Sequence, residues 1–252
     1  MSISPRLAPR SMSLAAAWLL FAGGVTQAAD TPKADYWAPV LASIAGTYNS
    51  ECTQMYPDAP GAAGTRGPVV VSADGTVTGA GLAQASMADM GVLLSRFREP
   101  NGALSLSLLA TRDARMVSFM LPAQGTPIAS FGVEPNATRC KIERPFEIAR
   151  QSLYATYAGT LDATMKLTCL FNTSKKETVV DYQLANGILK VADQVVDLNQ
   201  ATLERVKIEP NRNLSYNAHL KDERTAVITM DAQGRLLRFR SIGKDVNATC
   251  KP

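Results

Sequence analysis

The chain repeats itself once, and that constrains its fold more than any other feature. Ala45-Gly46-Thr47 recurs as Ala158-Gly159-Thr160, Asp74-Gly75 as Asn186-Gly187, and Glu99-Pro100-Asn101 as Glu209-Pro210-Asn211. Leu104-Ser105 recurs as Leu214-Ser215, Ala123-Gln124-Gly125 as Ala232-Gln233-Gly234, and Asn136-Ala137-Thr138 as Asn247-Ala248-Thr249. The charged stretch Arg112-Asp113-Ala114-Arg115 is echoed by Lys221-Asp222-Glu223-Arg224. The matches keep their order, and their offsets drift only between 109 and 113 residues, as small loop insertions would make them. Two homologous repeats are therefore expected, over 31–143 and 144–252. Each is long enough for its own core and far longer than a solenoid unit.

The residues ahead of the first repeat read as an export signal. Arg6 and Arg10 form a basic start, Met12 to Ala22 is apolar apart from Ser13, and small residues at Thr26 and Ala28 suit a signal peptidase. Cleavage is expected after Ala28 or Ala29, so 1–29 is the signal peptide. The apolar run is shorter than the roughly 20 residues a spanning helix needs, so no transmembrane segment is expected in the mature chain. Export implies an oxidising compartment, periplasmic or secreted, where an even set of cysteines forms disulfides.

Four cysteines allow three pairings. The duplication chooses among them. Each repeat carries one cysteine after its Ala-Gly-Thr and one at its end, and equivalent positions should make equivalent bonds. The expected bonds are Cys52–Cys140 and Cys169–Cys250. A metal site would want close ligand pairs such as Cys-x-x-Cys. There is none, and His219 is the only histidine. No glycine-rich phosphate loop is present, so neither a metal nor another cofactor is expected.

Each repeat should open with a short helix, Asp35 to Ala45 and Phe146 to Ala158, stopped by Gly46 and Gly159. The rest alternates like antiparallel strands. Val69–Val71 and Thr76–Thr78 flank Asp74-Gly75, and Val179–Leu184 and Ile188–Val191 flank Asn186-Gly187, both predicted as type I′ hairpins. Further strands are expected at Leu104 to Leu108, Met116 to Leu121, Ala226 to Met230 and Leu236 to Ser241. The fold class is mainly β, about seven antiparallel strands per repeat as a small barrel or sandwich. Leu82 to Met90, a possible second helix, and Val195 to Val206 are where the repeats differ most. Asp58 to Gly67 reads as a loop. Met116 and Met120 share a strand face and are expected to fill the core.

Removing Arg6 and Arg10 leaves 24 basic and 22 acidic residues. This near-balance argues against nucleic-acid binding, which wants a concentrated basic face. Alternation places Arg238 and Arg240 on one strand face, with Leu237 and Phe239 on the other. His219 falls in a strand without a Gly-x-Ser-x-Gly elbow, so no catalytic residue is assigned. The candidate contact residues are Arg112, Asp113, Arg115, Lys221, Asp222 and Arg224. They could bind an anion as a pair across a pseudo-twofold, or be aspartate turns flanked by solvated bases. The functional expectation is an exported, non-catalytic binding or accessory protein. It would meet a protein or small ligand through the inter-repeat groove or the variable segments. The alternatives are an envelope hydrolase or an inhibitor or immunity protein.

Overall fold

Period-two alternation of apolar and polar residues decides most of the structure. The computed structural model describes residues 34–55, 68–82, 84–98, 104–133, 137–144, 146, 148, 151–210, 212–243 and 247–252. The expected signal peptide, the Asp58–Gly67 loop and the Glu99-Pro100-Asn101 turn lie outside the described residues. The first part of the chain forms α1 (Ala38–Ile44), β1 (Gly46–Tyr48), β2 (Thr53–Gln54), β3 (Val69–Val71), β4 (Thr76–Thr78) and β5 (Gln84–Ser86). It continues with α2 (Met87–Met90), β6 (Val92–Arg98), β7 (Leu104–Arg112), β8 (Arg115–Leu121), β9 (Ile128–Val133) and β10 (Thr138–Lys141). The second part forms α3 (Leu153–Leu161), β11 (Ala163–Phe171), β12 (Glu177–Ala185), β13 (Ile188–Val191) and β14 (Gln194–Asp197). After a single 3-10 turn, Leu198–Gln200, come β15 (Leu203–Ile208), β16 (Leu214–His219), β17 (Thr225–Met230), β18 (Leu236–Ile242) and β19 (Asn247–Lys251).

The protein is mainly β, and every strand pair is antiparallel. No closed barrel forms. Fifteen strands share one open sheet, ordered β14-β13-β12-β11-β19-β18-β17-β16-β15-β6-β7-β8-β9-β10-β2, and β1-β3-β4-β5 make a second sheet. Nineteen strands among the described residues exceed the fourteen expected, because loops and the variable segments also pair. The barrel expectation fails at β6–β15. There the two parts join edge to edge over six residue pairs, Val92↔Ile208 to Phe97↔Leu203, instead of each closing on itself. Local alternation cannot foresee so distant a pairing.

Turn chemistry separates the two Gly hairpins. Asn186 and Gly187 both have positive φ, 52° and 80°, as a type I′ turn requires. At the first hairpin only Gly75 does, at φ 85°. The Gly75 amide donates to Ser72 O, and the Asp74 carboxylate accepts from the Thr76 amide. This is a type I turn closed by a left-handed glycine, not the expected I′ form.

Both opening helices form, but their glycine stops do not act as caps. α1 ends at Ala45, whose backbone is already extended. Gly46 instead lets the Arg144 guanidinium approach, because a Cβ there would stand 3.0 Å from Arg144 Nη1. α3 runs through Gly159 to Leu161, which is fully buried, and starts later than expected, at Ser152. Phe146 is not part of α3. It packs on Phe119, with ring centroids 5.6 Å apart, beside Tyr48 and Phe131. Arg144 closes this cluster, lying 5.3 Å from the Tyr48 ring and 5.2 Å from that of Phe146, and donates to Ile44 O and the Tyr48 hydroxyl. Such aromatic pairs each add about 0.5–1.5 kcal/mol beyond burial.

Both expected disulfides are present, Cys52–Cys140 and Cys169–Cys250. Cys169 and Cys250 are direct register partners, tying β11 to β19. Two packing expectations are overturned. Met120 is 54 % exposed, because Met116 and Met120 alternate with the buried Val117, Phe119 and Leu121 and so face outward. Leu237 is 42 % exposed and does not share the buried side of Phe239. A register shift at Thr229/Met230 pairs Leu236 with Met230 and Arg238 with Thr229, which turns Leu237 out.

Candidate functional site

The six residues singled out by the duplication sit where expected in sequence but do not meet. Arg112 to Arg115 form the β7–β8 turn, with Asp113 and Ala114 at φ 51° and 61°. Lys221 to Arg224 form the β16–β17 turn. The first turn follows Ala110, which pairs with Val92, and Val92 pairs with Ile208. The second follows His219, which pairs with Leu203, and Leu203 pairs with Phe97. The turns therefore leave opposite ends of the β6–β15 ladder, roughly 17 Å apart along the strands before their own length is counted. Each satisfies itself locally. The Asp222 carboxylate accepts from the Arg224 amide and Nε, and Arg112 Nη1 donates to Asp89 O. Asp113 makes loose, exposed ion pairs of 3.4 and 3.8 Å with Arg112 and Arg115, and such pairs add little stability.

The concave feature between the two parts of the chain lies elsewhere. A cavity of about 390 Å³ is lined by Asp35, Tyr36, Trp37 and Leu41 at the start of α1, by Asp74 in the β3–β4 turn and Ala88 in α2, and across from them by Ile208 and Arg212 after β15. Local forces place each group. The Asp35 carboxylate accepts from the Trp37 and Ala38 amides and so starts α1. Tyr36 is held by a 2.5 Å bond from its hydroxyl to Asp231 O, while its own carbonyl accepts from the Tyr157 hydroxyl. Burial, with Asp231 nearby, pushes the Tyr36 phenol up to about 12. The Thr76 amide and hydroxyl hold the Asp74 carboxyl below its usual range, so Asp74 presents a negative charge.

A second, more apolar cavity of about 230 Å³ lies against the Cys169–Cys250 bond, between Phe171, Val191, Gln194, Phe239 and Ser241. It is larger than the 150 Å³ apolar void that accommodates benzene in another protein. A smaller pocket that shares Val191, Gln194, Phe239 and Ser241 with it is bordered by Val196, Leu220 and Arg224.

The buried polar centre of the molecule was not legible from motifs. Arg96 and Glu204 are register partners on β6 and β15, 6 % and 1 % exposed, and pair at 2.6 Å. The Glu204 carboxylate also accepts from the Leu153 and Tyr154 amides at 3.2 and 2.9 Å and from the Tyr216 hydroxyl at 3.0 Å. Ser152 Oγ takes the Ala155 amide, so the first three amides of α3 are satisfied. A carboxylate at a helix start is favoured by the aligned peptide dipoles. Burial and Glu204 hold the Tyr216 phenol well above its ordinary value, so it stays a donor.

His219 closes β16, and its Nδ1 lies 3.1 Å from the hydroxyl of Thr225, its cross-strand partner. Burial and the Arg205 charge lower its pKa. Among the described residues no carboxylate hydrogen-bonds to this ring, and no group of three potential metal ligands comes together. No helix among the described residues is long and apolar enough to cross a membrane. Comparison of the chain with protein-family models, with curated proteins and with solved structures finds no match in any of the three.

Proposed function

We propose that the chain is an exported, non-catalytic binding protein of the periplasm or cell exterior, built from two duplicated halves, which holds a small ligand between them. The observation that carries this reading is the 390 Å³ cavity lined by Asp35, Tyr36, Trp37 and Asp74 from one half and by Ile208 and Arg212 from the other. A largely preformed cavity with a few fixed polar groups is the usual form of a small-ligand site. Its size falls in the 300–1,000 Å³ range of such sites. Its charges come as two carboxylates and one guanidinium, which suits a ligand with both cationic and hydroxyl or anionic groups.

Three observations support the compartment and the duplication. Two disulfides fit an oxidising environment. The strand order outward from β6, through β7, β8 and β9 to β10, parallels that outward from β15, through β16, β17 and β18 to β19. β11, one strand paired to both β19 and β12, corresponds to the pair β1 and β2, where β1 meets β3 and β2 meets β10.

The chain has two tryptophans, Trp18 and Trp37, so removing residues 1–29 leaves Trp37 as the only one. Its emission then reports on the cavity alone. A fractionated small-molecule extract titrated into the mature chain should shift that emission and raise the melting temperature. Ala88→Phe, which fills the cavity, should abolish both responses, and Arg212→Ala should weaken them. If no fraction shifts Trp37, or if the filled variant responds as the native chain does, the cavity is not the site.

A further inference from the structure

The long sheet carries a second surface feature on the side facing away from α3. Across the ladders, Leu109 stands beside Leu93, and Leu93 beside Lys207. One row along, Met120 stands beside Ser107, Ser107 beside Ser95, and Ser95 beside Arg205. Phe97 stands beside Leu203 in the next row. Leu93, Leu109 and Met120 are 37–54 % exposed and neighbour one another over β6, β7 and β8, and Phe97, 41 % exposed, follows beyond Ser95 on β6. Single exposed apolar side chains are ordinary, but a contiguous patch marks a contact surface.

Beyond β6 the same face becomes basic. Arg205, Arg238 and Arg240 are exposed on β15 and β18, and none of the three forms an ion pair among the described residues. Lys207 adds a fourth positive charge, paired with Glu209 at the strand end. Among the described residues of strands β9 to β18 no carboxylate lies on this face, and Glu209, just past β15, reaches it only through Lys207; the intervening positions are Ser, Thr, Asn, Val, Ile, Gly and His. The rest of the sheet is not like this. On β11 and β12 the same side carries the mixed pair Lys166–Asp181. The charge is therefore local, although the mature chain as a whole is nearly neutral.

The geometry points to this face as a docking surface for an anionic phospholipid bilayer. Arginine forks match phosphate oxygens, and the neighbouring Leu93, Phe97, Leu109 and Met120 meet the acyl boundary. An acidic protein is the other occupant the arginines would complement. The surface is distinct from the cavity and does not depend on the ligand-binding reading.

Co-sedimentation of the mature chain with phosphatidylglycerol and with phosphatidylcholine vesicles tests it. Binding to phosphatidylglycerol alone is expected. Each basic residue near an anionic surface contributes roughly 1 kcal/mol, so each Arg→Gln change should lower partitioning about fivefold, and the Arg205/Arg238/Arg240 triple about 100-fold. Phe97→Ser with Met120→Ser should keep low-salt binding but lose the part that survives raised salt. All five positions are exposed, so unchanged melting temperatures are expected and verify folding. Equal binding to both lipids, or a triple variant that binds like the native chain, overturns the proposal. So does retention on immobilised polyglutamate without vesicle binding, which would indicate an acidic protein partner instead.

Discussion

Glu204→Gln is the sharpest test of how the two parts of the chain are held together. The carboxylate accepts four hydrogen bonds, from Arg96, the Leu153 and Tyr154 amides and the Tyr216 hydroxyl. An amide in its place turns one acceptor into a donor facing donors, and it leaves the Arg96 charge buried without a counter-charge. Removing one member of a buried pair costs about 3–5 kcal/mol. Arg96→Met alone should cost less, about 2–3 kcal/mol, since a charged group still keeps three hydrogen bonds. In the double variant no charge is buried, so it should be no less stable than Glu204→Gln. The coupling energy is then at least about 2 kcal/mol. Urea unfolding of the disulfide-intact chain, expressed as residues 30–252, measures all four corners of the cycle, with unchanged m-values as the control. Additivity within about 0.5 kcal/mol would refute the view that Arg96 and Glu204 stabilise the join as one unit.

The remaining predictions concern covalent and titratable groups. Replacing Cys169 and Cys250 by Ala reopens a loop of 81 residues, and should cost on the order of 4 kcal/mol in the chain-entropy model, read as a drop in urea midpoint. His219 titrates below 6.5 in the folded state, so the unfolded chain takes up its proton first. Stability should therefore fall as pH drops below about 6.5, and His219→Asn should remove that part of the dependence. Tyr36 and Tyr154 are pushed up to about 12 from 10.0, chiefly by burial. The phenol form is favoured in the folded state, so stability present below pH 10 is lost as pH rises from 10 to 12, with phenolate absorbance and unfolding appearing together.

What could be read in the sequence depended on how local its physical cause is. Alternation found β7, β8, β12, β13, β17 and β18 because the side-chain period is a local property of the chain. The disulfides were legible because the recurring sequence motifs supplied a rule of equivalence that spacing alone lacks. Gly159 misled, since a glycine can lie inside a helix whose next turn buries Leu161. Met120 and Leu237 misled because hydrophobicity marks a residue as able to be buried, while register and a bulge decided that these were not. The Arg96–Glu204 centre had a faint signal. Arg96 is in phase with Val92 and Leu94, and Glu204 with Val206 and Ile208, so each places a charge on the apolar side of its strand. A charge in that phase must find a partner or prevent folding, but no local pattern says that the partner lies 108 residues away. The same pairing explains the open sheet. Had β6 and β15 each closed on its own half, Arg96 and Glu204 would have been buried as single charges. A charged pair shared across the join makes the edge-to-edge arrangement the one in which each charge meets its counter-charge, with Arg96 Nε alone left without a hydrogen-bond partner. It also makes the start of α3, which lies on the same carboxylate, depend on β6 being in place.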